Sequence, residues 1–133
     1  MQRPGQNHGN RLSIRKRDGQ VIGLQYDALS RLTFKDLPGT TSGDVYTTYD
    51  LAGRPTAVHF GAAFPSGTGI DYRYDTAERL SSETSFGRTM GFNYDAAFNR
   101  TQVTWPDTSN FINYDYDRMN WTSHKFWAPR LGT

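Results

Sequence analysis

Ile70-Asp71-Tyr72-Arg73-Tyr74-Asp75-Thr76-Ala77-Glu78-Arg79-Leu80 contains the pattern on which the reading of this chain rests. Up to Tyr74 the apolar side chains occupy every second position, the period of a strand with one covered face. Asp75 then opens a short polar run that ends at Arg79-Leu80, where a second strand can begin. An aspartate at the first position of a type I turn accepts backbone hydrogen bonds, and a left-handed residue three places on closes a hairpin with a bulge. The stretch therefore reads as strand, turn and return strand.

The pattern recurs along the chain. Six Tyr-Asp pairs are present: Tyr26-Asp27, Tyr49-Asp50, Tyr74-Asp75, Tyr94-Asp95, Tyr114-Asp115 and Tyr116-Asp117. Eight tyrosines and eleven aspartates (13 acidic residues less Glu78 and Glu83) in 133 positions give roughly 0.7 such pairs by chance, so a repeat is present. The turn-opening tyrosines at 26, 49, 74, 94 and 116 are separated by 23, 25, 20 and 22 residues. Each turn but the last leads to an arginine: Arg31, Arg54, Arg79 and, after one extra residue, Arg100. Gly53, Asn99 and Asn120 suit the left-handed position, whereas Ser30 and Glu78 would carry strain there.

Upstream of the turns the alternation keeps one phase: Ile22, Leu24, Tyr26; Val45, Tyr49; Ile70, Tyr72, Tyr74; Met90, Phe92, Tyr94; Ile112, Tyr114, Tyr116. This predicts all five tyrosines on one sheet face. Return strands alternate more weakly, through Leu32 and Phe34, Val58 and Phe60, Leu80 and Phe86, Val103 and Trp105, and Trp121 and Trp127. Pro38-Gly39, Phe64-Pro65-Ser66-Gly67, Phe86-Gly87 and Trp105-Pro106-Asp107 supply second turns. Gly9-Asn10-Arg11-Leu12-Ser13 matches the second half of a unit, with Gly5 and Gln6 where Tyr and Asp would stand. The expected fold is all-β: antiparallel β-hairpin repeats forming a curled, open sheet of about ten to twelve strands, a single array over 1–133.

Composition agrees and excludes several classes. Hydrophobic residues make up 35% and aromatic residues 14%, with 13 glycines, a strand-and-turn composition that rules out a helix bundle. With no cysteine and with His8, His59 and His124 far apart, neither disulfides nor a local metal cluster is expected. Asp115 and Asp117 fall short of the six oxygens calcium takes. The net charge of +2 hides a local excess: Arg3, Arg11, Arg15, Lys16 and Arg17 precede the first acid, leaving ten basic against thirteen acidic residues from 18 onward. Five cations beside a return strand do not make a nucleic-acid site, and no such partner is expected. No run of eighteen apolar residues and no signal-peptide h-region occurs, so no membrane span is expected and any export signal lies elsewhere.

The unit resembles that of the Rhs family, the YD-repeat proteins: Tyr-x-Tyr-Asp, two small residues, Gly or Asn, Arg, Leu. Ile70 to Leu80 is similar to it throughout, as is Phe111-Ile112-Asn113-Tyr114-Asp115-Tyr116-Asp117, and the similarity covers about residues 9 to 121. The resemblance implies a segment of a large secreted or cell-surface protein, whose repeats wind an antiparallel ribbon into a hollow shell. In toxin members that shell encloses a C-terminal effector, so the implied partners are the remainder of the shell and such an effector. The Asp-Pro-x-Gly-type core and cleavage site of full shells are absent from this sequence, and no self-cleaving activity is carried over.

Two roles for the tyrosines stay open. Rings in matched register pack across strands, and the same rings could form a platform for glycans. Asp27 with Arg31, Asp50 with Arg54 and Asp75 with Arg79 are predicted ion pairs across their turns, each Asp capping its turn and each Arg covering neighbouring rings. The acids recur with the turns instead of converging, Ser123-His124 has no third member, and the glycines sit in turns and not in a phosphate loop. The expectation is a structural module with no cofactor and no catalysed reaction.

Overall fold

The structure, a computed structural model, describes residues 9–39, 41–107 and 110–129. Among them are eleven strands: β1 (Ser13–Arg15), β2 (Val21–Tyr26), β3 (Leu32–Asp36), β4 (Val45–Tyr49), β5 (Pro55–Phe60), β6 (Thr68–Tyr74), β7 (Leu80–Ser85), β8 (Arg88–Tyr94), β9 (Arg100–Thr104), β10 (Asn110–Tyr116) and β11 (Thr122–Pro129). They form one open antiparallel sheet whose order is the chain order. The only helical element described is a 3-10 turn at Thr41–Gly43. Gly5, Gln6 and the Trp127 side chain lie outside the described residues. The chain divides into two compact units, Met1–Ile70 and Asp71–Thr133.

In the first unit the β2–β3 hairpin pairs Leu24 with Lys35, Gln25 with Phe34 and Tyr26 with Leu32, leaving Thr33 as an extra residue. That bulge changes the phase of the return strand. Leu32 stays on the tyrosine face, while Phe34 crosses to the other, opposite Tyr46, with ring centroids 4.6 Å apart. Period-two counting places Leu32 and Phe34 on one face, and the extra residue breaks that counting. The β4–β5 hairpin has the same irregularity, with Thr48 opposite Ala57 and Tyr49 opposite Pro55. Ahead of β2, the turn at Lys16–Gln20 is built like those that follow the tyrosines: Gly19 N–H donates to Lys16 C=O, and φ at Gly19 is 84°.

Two features of this unit were not legible in the sequence. Asp44 is 4% exposed; its carboxylate accepts the Leu37 N–H at 2.9 Å and its carbonyl accepts the Gly61 N–H at 3.0 Å, pinning the β3–β4 loop to the end of β5. At Gly69 a Cβ would lie 2.0 Å from the Val58 carbonyl oxygen and 2.9 Å from the His59 ring, so only glycine lets β6 approach so closely.

In the second unit β7 and β8 are joined by Phe86-Gly87, both with positive φ (49° and 74°), a two-residue turn of the mirror-image type that suits strand twist. Phe86 is therefore an exposed turn residue and does not continue the alternation of β7. The β8–β9 and β10–β11 hairpins repeat the bulge: Tyr94 opposes Arg100, and Tyr116 opposes Thr122. Phe92 opposes Val103, which in turn opposes Ile112, placing Tyr94 and Tyr116 on one face. On the reverse face Asn93 donates to Gln102 and Gln102 to Asn113, an amide ladder across three strands.

Burial is shallow. Ala57 and Val103 are the only buried apolar residues among those described, and no large side chain is fully buried. A single layer has no second layer to pack on, so side-chain burial contributes less here than in a sandwich of equal size.

The left-handed position falls on Ser30 (φ 62°), Gly53 (85°), Glu78 (66°), Phe98 (69°) and Asn120 (61°). In the fourth turn it is Phe98, and not Asn99, that takes it. Replacing Glu78 by glycine should raise stability by about 0.5–1 kcal/mol, because glycine adopts that conformation freely. Gly69→Ala should lower it by about 1–3 kcal/mol through overlap with β5. Urea denaturation of the two variants beside the parent checks both.

Candidate functional site

The site built from the recurrent residues is a clasp that begins at each turn. Asp27 Oδ1 accepts the N–H groups of Leu29 (2.9 Å) and Arg31 (3.0 Å), and its Oδ2 accepts Arg31 Nε at 2.6 Å. Asp75 does the same for Ala77, Arg79 and Arg79 Nε, at 2.9, 2.9 and 2.8 Å. In the second turn Asp50 holds the Arg54 N–H at 2.9 Å and Arg54 Nε at 2.7 Å. The backbone closes the same loop each time: Asp27, Asp50, Asp75, Asp95 and Asp117 donate their N–H to the carbonyl four residues on. Each carboxylate thereby satisfies turn amides that strand pairing leaves over.

The guanidinium then reaches the next hairpin. Arg31 Nη1 donates to the Asp50 carbonyl at 3.0 Å, and Arg79 Nη1 to the Asp95 carbonyl at 2.7 Å. Arg31 also lies 4.7 Å over the Tyr49 ring, and Arg79 lies 4.8 Å over Tyr94. The covered tyrosine answers in the opposite direction: Tyr49 OH donates to Leu32 C=O at 2.8 Å, and Tyr94 OH to Leu80 C=O at 2.9 Å. One planar cation with several fixed donors can serve its own turn and the next turn's carbonyl and ring together, which a lysine ammonium cannot.

The remaining predicted residues depart from this scheme in specific ways. In the fourth turn the position four residues after Asp95 belongs to Asn99, whose N–H and Nδ2 both reach that carboxylate, at 2.9 and 3.0 Å. The turn has no extra residue, so Arg100 falls one place later and lies over Phe92 and Tyr114 instead, at 5.8 and 5.5 Å. Counting four residues from each Asp, instead of aligning on arginine, would have found this. In the fifth turn Trp121 takes the arginine's place and gives Asp117 only its N–H. Tyr116 OH donates to Arg100 C=O at 2.9 Å. Tyr74 ends β6 half-buried beside the turn at Asp75, and Tyr26 ends β2 likewise. Gly53 carries the positive φ of the second turn.

The electrostatics follow the hydrogen bonds. Asp27, Asp50 and Asp75 are held below the ordinary aspartate range, first by the backbone N–H of Arg31, Arg54 and Arg79 and then by those guanidinium groups, against some desolvation. Asp95 is lowered chiefly by the Asn99 side chain. Tyr72 is raised, mainly by desolvation and secondarily by the Glu83 charge. None of these groups converges on a cleft. Among the described residues no cluster of three or more His, Cys, Asp or Glu could hold a metal ion, and no helix is long and apolar enough to cross a membrane. No family model matches the sequence, and no curated protein matches it either.

Tyr94→Phe, which keeps the ring and removes the donor to Leu80, should cost about 1 kcal/mol in denaturant unfolding. Arg79→Lys should lower the melting temperature nearly as far as Arg79→Ala, because the charge survives but the shared reach does not. A carboxylate with a lowered folded pKa contributes stability that is complete above its unfolded value and is lost as pH falls through the folded one. Unfolding free energy should thus hold from neutrality down to about pH 5 and decline from about pH 4 downward, less steeply in Asp75→Asn. An acid titration of stability measures the slope.

Proposed function

We propose that this chain is a structural repeat module of the Rhs/YD type, part of a β-shell that encapsulates or carries a toxin within a larger secreted or cell-surface protein. The observation that supports it best is the use to which the recurrent residues are put. Tyr49, Tyr94 and Tyr116 spend their hydroxyls on neighbouring carbonyls, Asp27, Asp50 and Asp75 cap their own turns, and Arg31 and Arg79 tie one hairpin to the next. Side chains committed in this way join hairpin to hairpin, which is the work of a wall. The same facts weigh against glycan stacking on Tyr49 and Tyr94, each of which has one face covered by a guanidinium.

The mechanism is enclosure. A continuous antiparallel ribbon pairs its backbone groups along its length and separates what lies on its two sides, with no bond made or broken. Expressing the complete reading frame that contains this segment, then digesting it with protease, tests the role: a segment beyond the repeats should resist cleavage until denaturant opens the sheet. Immediate cleavage of every flanking segment would overturn the reading. A glycan panel separates the other class, for which retention of the parent and its loss in Tyr94→Phe would count.

A further inference from the structure

We propose that the joint between β9 and β10 is a built-in seam, at which the β10–β11 hairpin leaves the sheet as a unit while β7, β8 and β9 stay paired. Both joints compared lie in the second compact unit, so the contrast is internal to it. At the β7–β8 joint Ser82 to Ser85 pair with Gly91 to Arg88. Arg79 bridges to the Asp95 carbonyl and lies between the Tyr94 and Phe98 rings, at 4.8 and 5.1 Å. That bridge and the Tyr94 hydroxyl bond are both partly buried.

At the β9–β10 joint Gln102 to Thr104 pair with Asn113 to Phe111, and the Trp105 N–H donates to the Asn110 carbonyl at 2.9 Å, so the backbone is bonded here much as at β7–β8 and the difference lies in the side chains. Asn99 is too short to reach the Asp117 carbonyl and meets the Asn120 side chain instead, at 3.1 Å. That bond and the Tyr116 hydroxyl bond are both exposed, where water competes for each partner. No cation lies over Tyr116 among the described contacts. Besides the backbone pairing, the joint is crossed by the Gln102–Asn113 amide bond and by Arg100 over Tyr114 at 5.5 Å, near the outer limit for such a contact.

The departing hairpin is well knit internally. Its strands pair in register from Asn110 opposite Pro129 to Asp115 opposite His124 and, past the bulge, at Tyr116 opposite Thr122, longer than any other pairing described. Weak attachment beside strong internal pairing is the condition for opening as a block, and not by fraying residue by residue. Opening presents the outer edge of β9, with Val103 and its unpaired backbone groups, to a new strand.

Native-state hydrogen exchange on the full chain tests the seam. Amides that bridge β9 and β10 should exchange together and at least about tenfold faster than those bridging β8 and β9. Asn99→Arg, which supplies the missing reach, should slow the β9–β10 set selectively by about tenfold. Arg79→Asn should speed exchange at the β7–β8 joint. A common rate for the β8–β9 and β9–β10 sets would overturn the proposal, as would an Asn99→Arg chain in which their ratio is unchanged. Because that substitution adds a tie, it reports even if Arg79→Asn does not fold.

Discussion

A guanidinium anchored to the aspartate of its own turn and aimed at the backbone of the next is the interaction on which this architecture turns. Hairpin formation is local: a tyrosine strand, an aspartate-capped turn and a return strand close within a span of about twenty residues, and the loop-closure cost is small. Joining one hairpin to the next is harder. In the first unit, among the described residues, the pairing of β3 with β4 runs through Phe34 with Tyr46 and Lys35 with Val45, a short ladder. Arg31 supplies the rest, bonding Asp27 on one side and the Asp50 carbonyl on the other while covering Tyr49. The Tyr49 hydroxyl returns a bond to the first hairpin, so this joint is tied in both directions.

The thin core makes these ties matter more. In a two-layer fold, apolar burial between layers would dominate and a surface ion pair would count for little. Here buried apolar side chains are few, and Arg31, Arg54 and Arg79 with their aspartates are each only about a quarter exposed. In Arg31 and Arg79 the pair lies against an aromatic ring and a further donor is taken by a carbonyl, which adds geometric constraint to an otherwise screened bridge. Within each unit the tie from one hairpin to the next depends on the residue four places after the aspartate: Arg31 and Arg79 reach the next turn's carbonyl, and Asn99 bonds the Asn120 side chain instead.

Much of this was legible in the sequence, because a repeat states its own rule several times. The Tyr-Asp recurrence and the period-two phase before it led to antiparallel hairpins in chain order, and the number of strands fell within the expected range. Four things were not legible. Bulges such as the one at Thr33 shift the return-strand phase, and Phe34 moved to the other face because nothing in its identity marks an extra residue. The left-handed position went to Phe98 despite its strain, since fixed turn geometry outranked the local preference of Asn99. Asp44 and Gly69 act through contacts distant from the motif, and a single aspartate or glycine outside a pattern carries no signal of burial or close approach. The direction of the second bond of Arg31 and of Arg79, across to the following turn, was likewise not legible.

The central claim is that Arg79 and Tyr94 couple two hairpins, and a double-mutant cycle on that pair measures it most directly. Arg79→Met, Tyr94→Leu and the double variant, each unfolded in urea, give the coupling free energy once their separate effects are subtracted. The expected value is about 1 kcal/mol or more, because the guanidinium and the ring meet at 4.8 Å and share the same joint. Strictly additive losses would contradict the account, leaving hairpins that are neighbours in the sheet but held by backbone pairing alone.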